Sequence, residues 1–576
     1  MRLSLAILAA VAPALASLVP PLVHTRAPHR SLHRRQTCTN DDSRLCWDGT
    51  YDISTNYYDD GPDTGKTVVY YLQITNTTLA PDGFSRQVLT INGTIPGPTL
   101  TANWGDRLEI HVTNALKDNG TSIHWHGIRQ LQNTIADGVN GVTECPLAPG
   151  QTKVYSFKAT QYGTSWYHSH YSAQYGDGVV GAIVINGPAS DEYDEDLGPI
   201  TVSDWFHITA YAGAYAAERT GPPVPPNFLI GGTNALPTDT TKGKRFVKTI
   251  ESGKKYRLRL INTSVDSFFR VSIDNHPMTV IASDFVPIKP YTTNVLGMAI
   301  GQRYDVIIEA NQDTSKSYWF RVWPQISCSQ NDNAGDVTGY ITYGTTDLPT
   351  TDAYDYDDSC DDEVGLEPYV SVTVDSSGFA TSTQEDISVS APTQVVVQGD
   401  NVFRWLVSGH AMDVDWGYPT LQQVADNNNS YADIQNALFM DEGLSTAYWV
   451  IQNLGGIAHP IHLHGHDFNI VSSGSGTFDA STATLKWDNP PRRDVAMLPA
   501  SGYLFIAFQT DNPGVWVMHC HIAWHVSEGL SLQLVERQSE IFDTVTLDDE
   551  WQDTCSTWKT WYSGDLYWGK KTDSGL

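Results

Sequence analysis

Four His-x-His pairs constrain this chain more than any other feature of its 576 residues. They are His124-Trp125-His126, His168-Ser169-His170, His462-Leu463-His464 and His519-Cys520-His521. Successive side chains on a β-strand point to opposite faces, so each pair on a strand presents two imidazoles on one side. One isolated pair would read as a zinc site or as hydrogen-bonded surface histidines. Eight nitrogen donors exceed a single tetrahedral zinc and suit a cluster of metals instead. Because the pairs recur in kind near the two ends of the chain, related end domains are expected to face each other.

The remaining sequence also reads as short strands. Thr67 to Thr75, Arg107 to Thr113, Thr152 to Lys158, Gly178 to Asn186, Tyr256 to Asn262 and Asp305 to Ala310 alternate or cluster β-branched and aromatic residues between Gly, Pro and Asn turns. No amphipathic helix longer than a few turns is evident, and strands at this spacing suggest an all-β chain of sandwiches or barrels. The middle third, about 190 to 345, has strands but no His-x-His pair. Asp347 to Gln384, rich in Asp, Ser, Thr and Gly, reads as a linker, and the tail after about 540 is acidic and aromatic.

Charge narrows the function. With 35 Lys and Arg against 65 Asp and Glu, a formal charge of −30 disfavours nucleic-acid backbones and anionic membrane surfaces. A basic Arg2, the apolar run Leu3 to Ala12 and Ala14-Leu15-Ala16 predict a signal peptide over 1–16. The pair Arg34-Arg35 marks the end of a propeptide over 17–35, with the mature chain starting at Gln36. Five sequons, at Asn76, Asn92, Asn119, Asn262 and Asn428, agree with a secreted, extracellular glycoprotein. Seven cysteines in an oxidising compartment leave at least one thiol without an internal disulfide partner, either reactive, intermolecular or a metal ligand, and Cys520, flanked by two histidines, is the odd one.

If His519 and His521 face one way along a strand, Cys520 faces the other and addresses a second site. His459, three residues before His462, and His525, five after Cys520, complete the two-histidine, one-cysteine donor set of a blue copper centre.

His124-Trp125-His126-Gly127, the run from Gly163 to His170, the run from His459 to His466, and the run from His519 to His525 together resemble multicopper oxidases, most closely the ascomycete fungal laccases. The likeness spans about Thr67 to the end of the sequence. It implies three consecutive cupredoxin-like Greek-key domains, over 36–190, 191–346 and 385–545, with a linker at 347–384 and a tail at 546–576. It also implies four coppers per chain. The type 1 ligands would be His459, Cys520 and His525, and the type 2 ligands His124 and His462. The type 3 pair would use His126, His168 and His521 on one copper and His170, His464 and His519 on the other. Leu530, ten residues past the cysteine, falls at the axial position, where an apolar side chain donates nothing and raises the potential.

The same resemblance places Asp266 in a phenol pocket, where a carboxylate can accept the phenolic proton as the electron leaves. A solvated loop aspartate is the alternative. Asp137 and Asp494 match acids near the trinuclear site, where dioxygen needs four protons; either could equally cap a turn or pair with Arg492. The family suggests disulfides Cys38–Cys46, Cys145–Cys555 and Cys328–Cys360, which spacing alone leaves among fifteen connectivities. The ending Asp573-Ser574-Gly575-Leu576 resembles a processed terminus that enters the channel to the trinuclear cluster. The implied function is a laccase, a benzenediol:oxygen oxidoreductase acting on small phenols and dioxygen, monomeric and free of membrane or nucleic acid. A ferroxidase is the competing enzyme, its Fe(II) site formed by the acidic run Asp191 to Asp196. Copper storage or simple electron transfer would need neither the full cluster nor a substrate pocket.

Overall fold

Along Arg107–Asn114 the side chains alternate, with Leu108, Ile110 and Val112 fully buried while Arg107 faces solvent. That period of two is how the sequence builds half-buried strands. The computed structural model describes residues 38–333, 335, 338–381, 385–440, 443–564, 571 and 573–576. The signal peptide, the propeptide and Gln36 lie outside the described residues.

Three two-sheet sandwiches follow one another along the chain. The first pairs a sheet of β1 (Thr67–Leu79), β2 (Arg86–Ile91), β4 (Arg107–Asn114) and β6 (Thr152–Lys158) with one of β3 (Gly97–Asn103), β5 (His124–His126), β7 (Gly163–His168) and β8 (Val180–Asn186). The second packs a six-stranded sheet containing β9 (Glu195–Trp205) against a five-stranded one. The third packs two five-stranded sheets, one of them carrying β10 (His459–Leu463), β11 (Val495–Leu498), β12 (Gly514–Cys520) and β13 (Ser531–Glu536).

Each of these six sheets contains one parallel pair among antiparallel neighbours, for example β1 with β4 and β3 with β8. Parallel neighbours require a crossover rather than a hairpin, so the shared pattern is a Greek-key arrangement repeated three times. Each sandwich has its own apolar core: Trp125, Tyr155 and Tyr167 in the first, Leu258, Phe269 and Val306 in the second, and Trp449, Ile506 and Trp516 in the third.

Helices are few but not absent. α1 (Ala210–Thr220) is capped by the Thr209 hydroxyl, which accepts from the Ala212 amide. α2 (Ala523–Ser527) follows β12. The acidic, aromatic tail forms α3 (Asp549–Tyr562), capped by the Asp548 carboxylate, with Trp551, Thr554, Cys555 and Trp558 buried at helical spacing. The linker stretch is fastened to its neighbours: the Asp362 carboxylate accepts from the Met497 amide at 2.8 Å, and the Val374 amide donates to Trp487. Disulfides join Cys38 to Cys46, Cys145 to Cys555 and Cys328 to Cys360, leaving Cys520 free and buried. Cys145–Cys555 anchors α3 on the first sandwich. Among the described residues no helix is long and apolar enough to cross a membrane.

Candidate metal centres

The histidine pairs come together through strand register. In the first sandwich β5 runs antiparallel to β7 with His124 opposite His168; in the third β10 runs antiparallel to β12 with His462 opposite His519. The two sandwiches meet on these strands, so that the His124 ring stacks on His464 and the His126 ring on His462, both with centroids 3.9 Å apart. A near two-fold relation therefore links the halves of the cluster. Donor atoms of His170, His464 and His519 converge, as do those of His124, His462 and His464 and those of His124, His126 and His168. His521 Nε2 lies 3.2 Å from His126 Nδ1.

Two aspartates extend the relation. The Asp137 carbonyl accepts from His124 Nδ1 at 2.8 Å, and its carboxylate accepts from His464 Nδ1 across the interface, also at 2.8 Å. Symmetrically, the Asp494 carbonyl accepts from His462 Nδ1 at 2.8 Å, and its carboxylate reaches His126 Nε2 at 3.2 Å. Each acid thus orients one imidazole in its own sandwich and one in the other, the outer support that metal-binding histidines require. Asp494 does not pair with Arg492, which binds Asp467 instead. Its partner is Arg303 of the middle sandwich, in two parallel hydrogen bonds of 2.5 and 2.6 Å. Burial lifts the Asp494 carboxyl to about 6 against the pull of that guanidinium.

The donors fit metal ions. Burial, reinforced by neighbouring imidazoles, holds His126, His168, His170, His462, His464 and His521 well below the ordinary histidine value, and burial lowers His519 to about 4. Neutral imidazoles are the metal-binding form. His124 Nε2, His168 Nε2, His170 Nδ1, His462 Nε2 and His521 Nδ1 are buried with no hydrogen-bond partner, a costly arrangement unless a cation takes them.

On the other face of β12, Cys520 Sγ lies 3.6 Å from Nδ1 of both His459 and His525, and those two nitrogens are 3.2 Å apart. Cys520 and His459 are fully buried, whereas His525 keeps 9% of its surface exposed. Burial pushes the thiol up, so the thiolate form needs a cation beside it. Leu530 is fully buried; its amide donates to the His525 carbonyl and its carbonyl accepts from the Cys520 amide, pinning it to both donors.

Models of the multicopper oxidase family match residues 73–190, 196–346 and 384–540. The chain is a multicopper oxidase. Laccase-2 of Botryotinia fuckeliana is 44% identical over 590 aligned positions covering 99% of each chain, and a laccase of Neurospora crassa is 43% identical over 94% of this chain and 89% of that one. The crystal structure of a laccase from Botrytis aclada superposes with a TM-score of 0.87 at 45% identity, covering 92% of this chain and 98% of that one. Fet3p, a multicopper oxidase that functions in iron import, gives 0.75 at 28% identity, covering 85% and 95%. This multicopper oxidase is an all-β protein of three cupredoxin-like domains that takes four copper ions per chain.

Asp266 sits in the loop after the strand Lys255–Asn262, partly exposed and opening onto a small pocket with Phe268, Ile300, Met497 and Ile522. Ala299, Cys328, Ala458 and Pro460 complete the wall, so the pocket is lined both by the two residues flanking His459 and by Ile522, three residues before His525. Burial, then the neighbouring Asp204, pushes the Asp266 carboxyl well above its ordinary value. The acidic run is committed elsewhere: Glu192 accepts from the Arg44 amide, Glu195 pairs with Lys254, and Asp196 binds Arg259 at 2.7 and 2.8 Å. Leu576 is buried and lines a small pocket with His168, His170, His519 and His521; the Gly575 carbonyl accepts from the Trp416 indole.

The sequence gives no sign of Arg303, of Asp284, which accepts from the Asp494 amide at 3.1 Å, or of Trp405, whose ring packs 4.9 Å from His459 and 4.4 Å from His525. All three arrive from segments distant in the chain.

Proposed function

We propose that this chain is a secreted laccase whose type 1 copper would be held by His459, Cys520 and His525, with the apolar Leu530 beside them adding no donor. His124 and His462 are the type 2 ligands. His126, His168 and His521, and His170, His464 and His519, are the two type 3 sets. The coppers supply a one-electron acceptor for the substrate and the four-electron reduction of dioxygen to water.

The observation that carries this reading is Cys520 on β12, its sulfur in one donor set and its two chain neighbours in the other. One peptide bond on either side joins the two centres. Leu530 leaves the type 1 set with three donors, which disfavours the cupric state and suits oxidation of phenols. Asp266 accepts the phenolic proton as the electron departs, avoiding a high-energy radical cation. Asp137 and Asp494 hold four imidazoles in place and stand where protons are consumed.

Three disulfides support an oxidising, extracellular compartment. The ferroxidase reading is less supported, and three acids of the Asp191 to Asp196 run are engaged with Arg44, Lys254 and Arg259. The test is turnover of a methoxyphenol and of Fe(II) by the copper-loaded protein under air, with oxygen uptake recorded. Phenol turnover with one dioxygen consumed per four electrons is expected; efficient Fe(II) turnover without phenol turnover would overturn the reading.

A further inference from the structure

The loop that carries Asp266 is wrapped around a second buried acid. Asp204, near the end of β9, is only 4% exposed. Its Oδ1 accepts from the Val265 amide and its Oδ2 from the Asp266 amide, both at 2.8 Å. Its own amide donates to Ser264 Oγ at 3.1 Å. From the other side Asn262 Oδ1 accepts from the Ser264 amide, and Asn262 Nδ2 donates to the Ser267 carbonyl. The loop touches the copper-binding segment directly, because the Ala523 amide at the start of α2 donates to the Val265 carbonyl at 2.9 Å. A carboxylate that takes these two consecutive amides fixes the backbone of Val265 and the amide from which Asp266 departs.

We propose that Asp204 is a positioning residue for Asp266, holding the 262–267 loop in place and facing the Asp266 carboxyl with a like charge. This rests on the reading of Asp266 as the proton acceptor. After burial, the larger cause, Asp204 raises the Asp266 carboxyl, and burial lifts Asp204 itself to about 6 against its amide hydrogen bonds. From other elements Tyr175, whose hydroxyl donates to the Ser264 carbonyl at 3.1 Å, and Cys520, the thiolate ligand of the copper-loaded protein, face the same region, and neither is changed in the test below. A like charge at Asp204 opposes ionisation of Asp266. Asp204 therefore adds to burial in limiting how acidic the medium can become before the base at Asp266 is lost.

The test uses Asp204→Asn in the copper-loaded protein, assayed across pH with a phenol and with a dye that gives up an electron and no proton. The amide removes the like charge and can accept only one of the two backbone N–H groups. The low-pH limb of the phenol profile should move to lower pH and the phenol plateau should fall several-fold, while dye turnover holds. Difference infrared spectroscopy supplies a readout independent of turnover: the protonated-carboxyl band that disappears in Asp266→Asn should titrate at lower pH in Asp204→Asn. In the Asp266→Asn background, Asp204→Asn should add nothing to the phenol loss. An infrared band and a limb unmoved from the parent would overturn the role of Asp204. An unchanged phenol-to-dye ratio in Asp266→Asn would instead sink the reading beneath it. If Asp204→Asn does not fold, Asp204→Glu keeps the charge and displaces the loop by one methylene. Phenol efficiency should then drop with the limb in place, and parental efficiency would overturn the proposal.

Discussion

The two centres share strand β12 but are built in opposite ways. The eight-histidine cluster takes its imidazoles from two sandwiches and its clamp from the third, because Arg303 of the middle sandwich holds Asp494. The Cys520 centre draws all three donors from 459–525, with Trp405 packed on two of them. One centre exists only when three sandwiches assemble; the other is a local property of one. Changes at the cluster should therefore act on the whole protein, and changes at the Cys520 centre should leave assembly alone.

The largest effect on activity should come from Cys520→Ser. A hydroxyl is a poor copper ligand and cannot give the thiolate charge-transfer band, so blue colour and phenol oxidation should vanish together. Retention of either in the purified variant would break the assignment. Arg303→Met attacks the shared centre. It leaves Asp494 buried beside Asp284 with its main cation gone, and removing one partner of such a pair costs about 3–5 kcal/mol. Thermal unfolding should show a lowered midpoint, and copper analysis should show loss from the cluster. A variant as stable as the parent would erase the contrast between the centres.

Smaller effects sharpen the local side of the comparison. Leu530→Met should add a weak axial thioether and lower the type 1 potential, slowing electron-poor phenols most. Redox titration checks this, and an unchanged or higher potential would show that Leu530 is not axial. Smallest of all is Asp266→Asn, which should keep the blue copper and the oxygen chemistry while depressing phenol turnover far more than turnover of a proton-free dye. The sign in pH follows from the raised carboxyl of Asp266: a base must be ionised, so the parent's phenol activity should fall off on the acid side above the usual carboxylate range. That limb should disappear in the amide variant, and an unchanged phenol-to-dye ratio would return Asp266 to an ordinary loop aspartate.

Much of this was legible in the sequence because strands convert spacing into direction. A period of two places His124 with His126 and His519 with His521, and sends Cys520 the other way, without any knowledge of the fold. Asp494 was harder. It lies between the strand Arg492–Arg493 and β11, where alternation breaks, so its neighbour Arg492 turned to Asp467 and the partner came from a different sandwich. Contacts of that kind, like those of Asp204 and Trp405, depend on how sheets pack and leave no local mark. Helix α3 was different: Asp548 as cap, Asp549 and Glu550 in the first turn, and apolar residues at 551, 555 and 558 all stood in the sequence beneath a composition that read only as an acidic, aromatic tail.

Copper per chain, counted in purified Cys520→Ser protein beside the parent, most directly tests whether the two centres are separate constructions. Four coppers are expected in the parent and three in the variant, since the eight histidines and both aspartates of the cluster are untouched. Four coppers in the variant, or nearly none, would contradict a local Cys520 centre set beside an interface-built cluster.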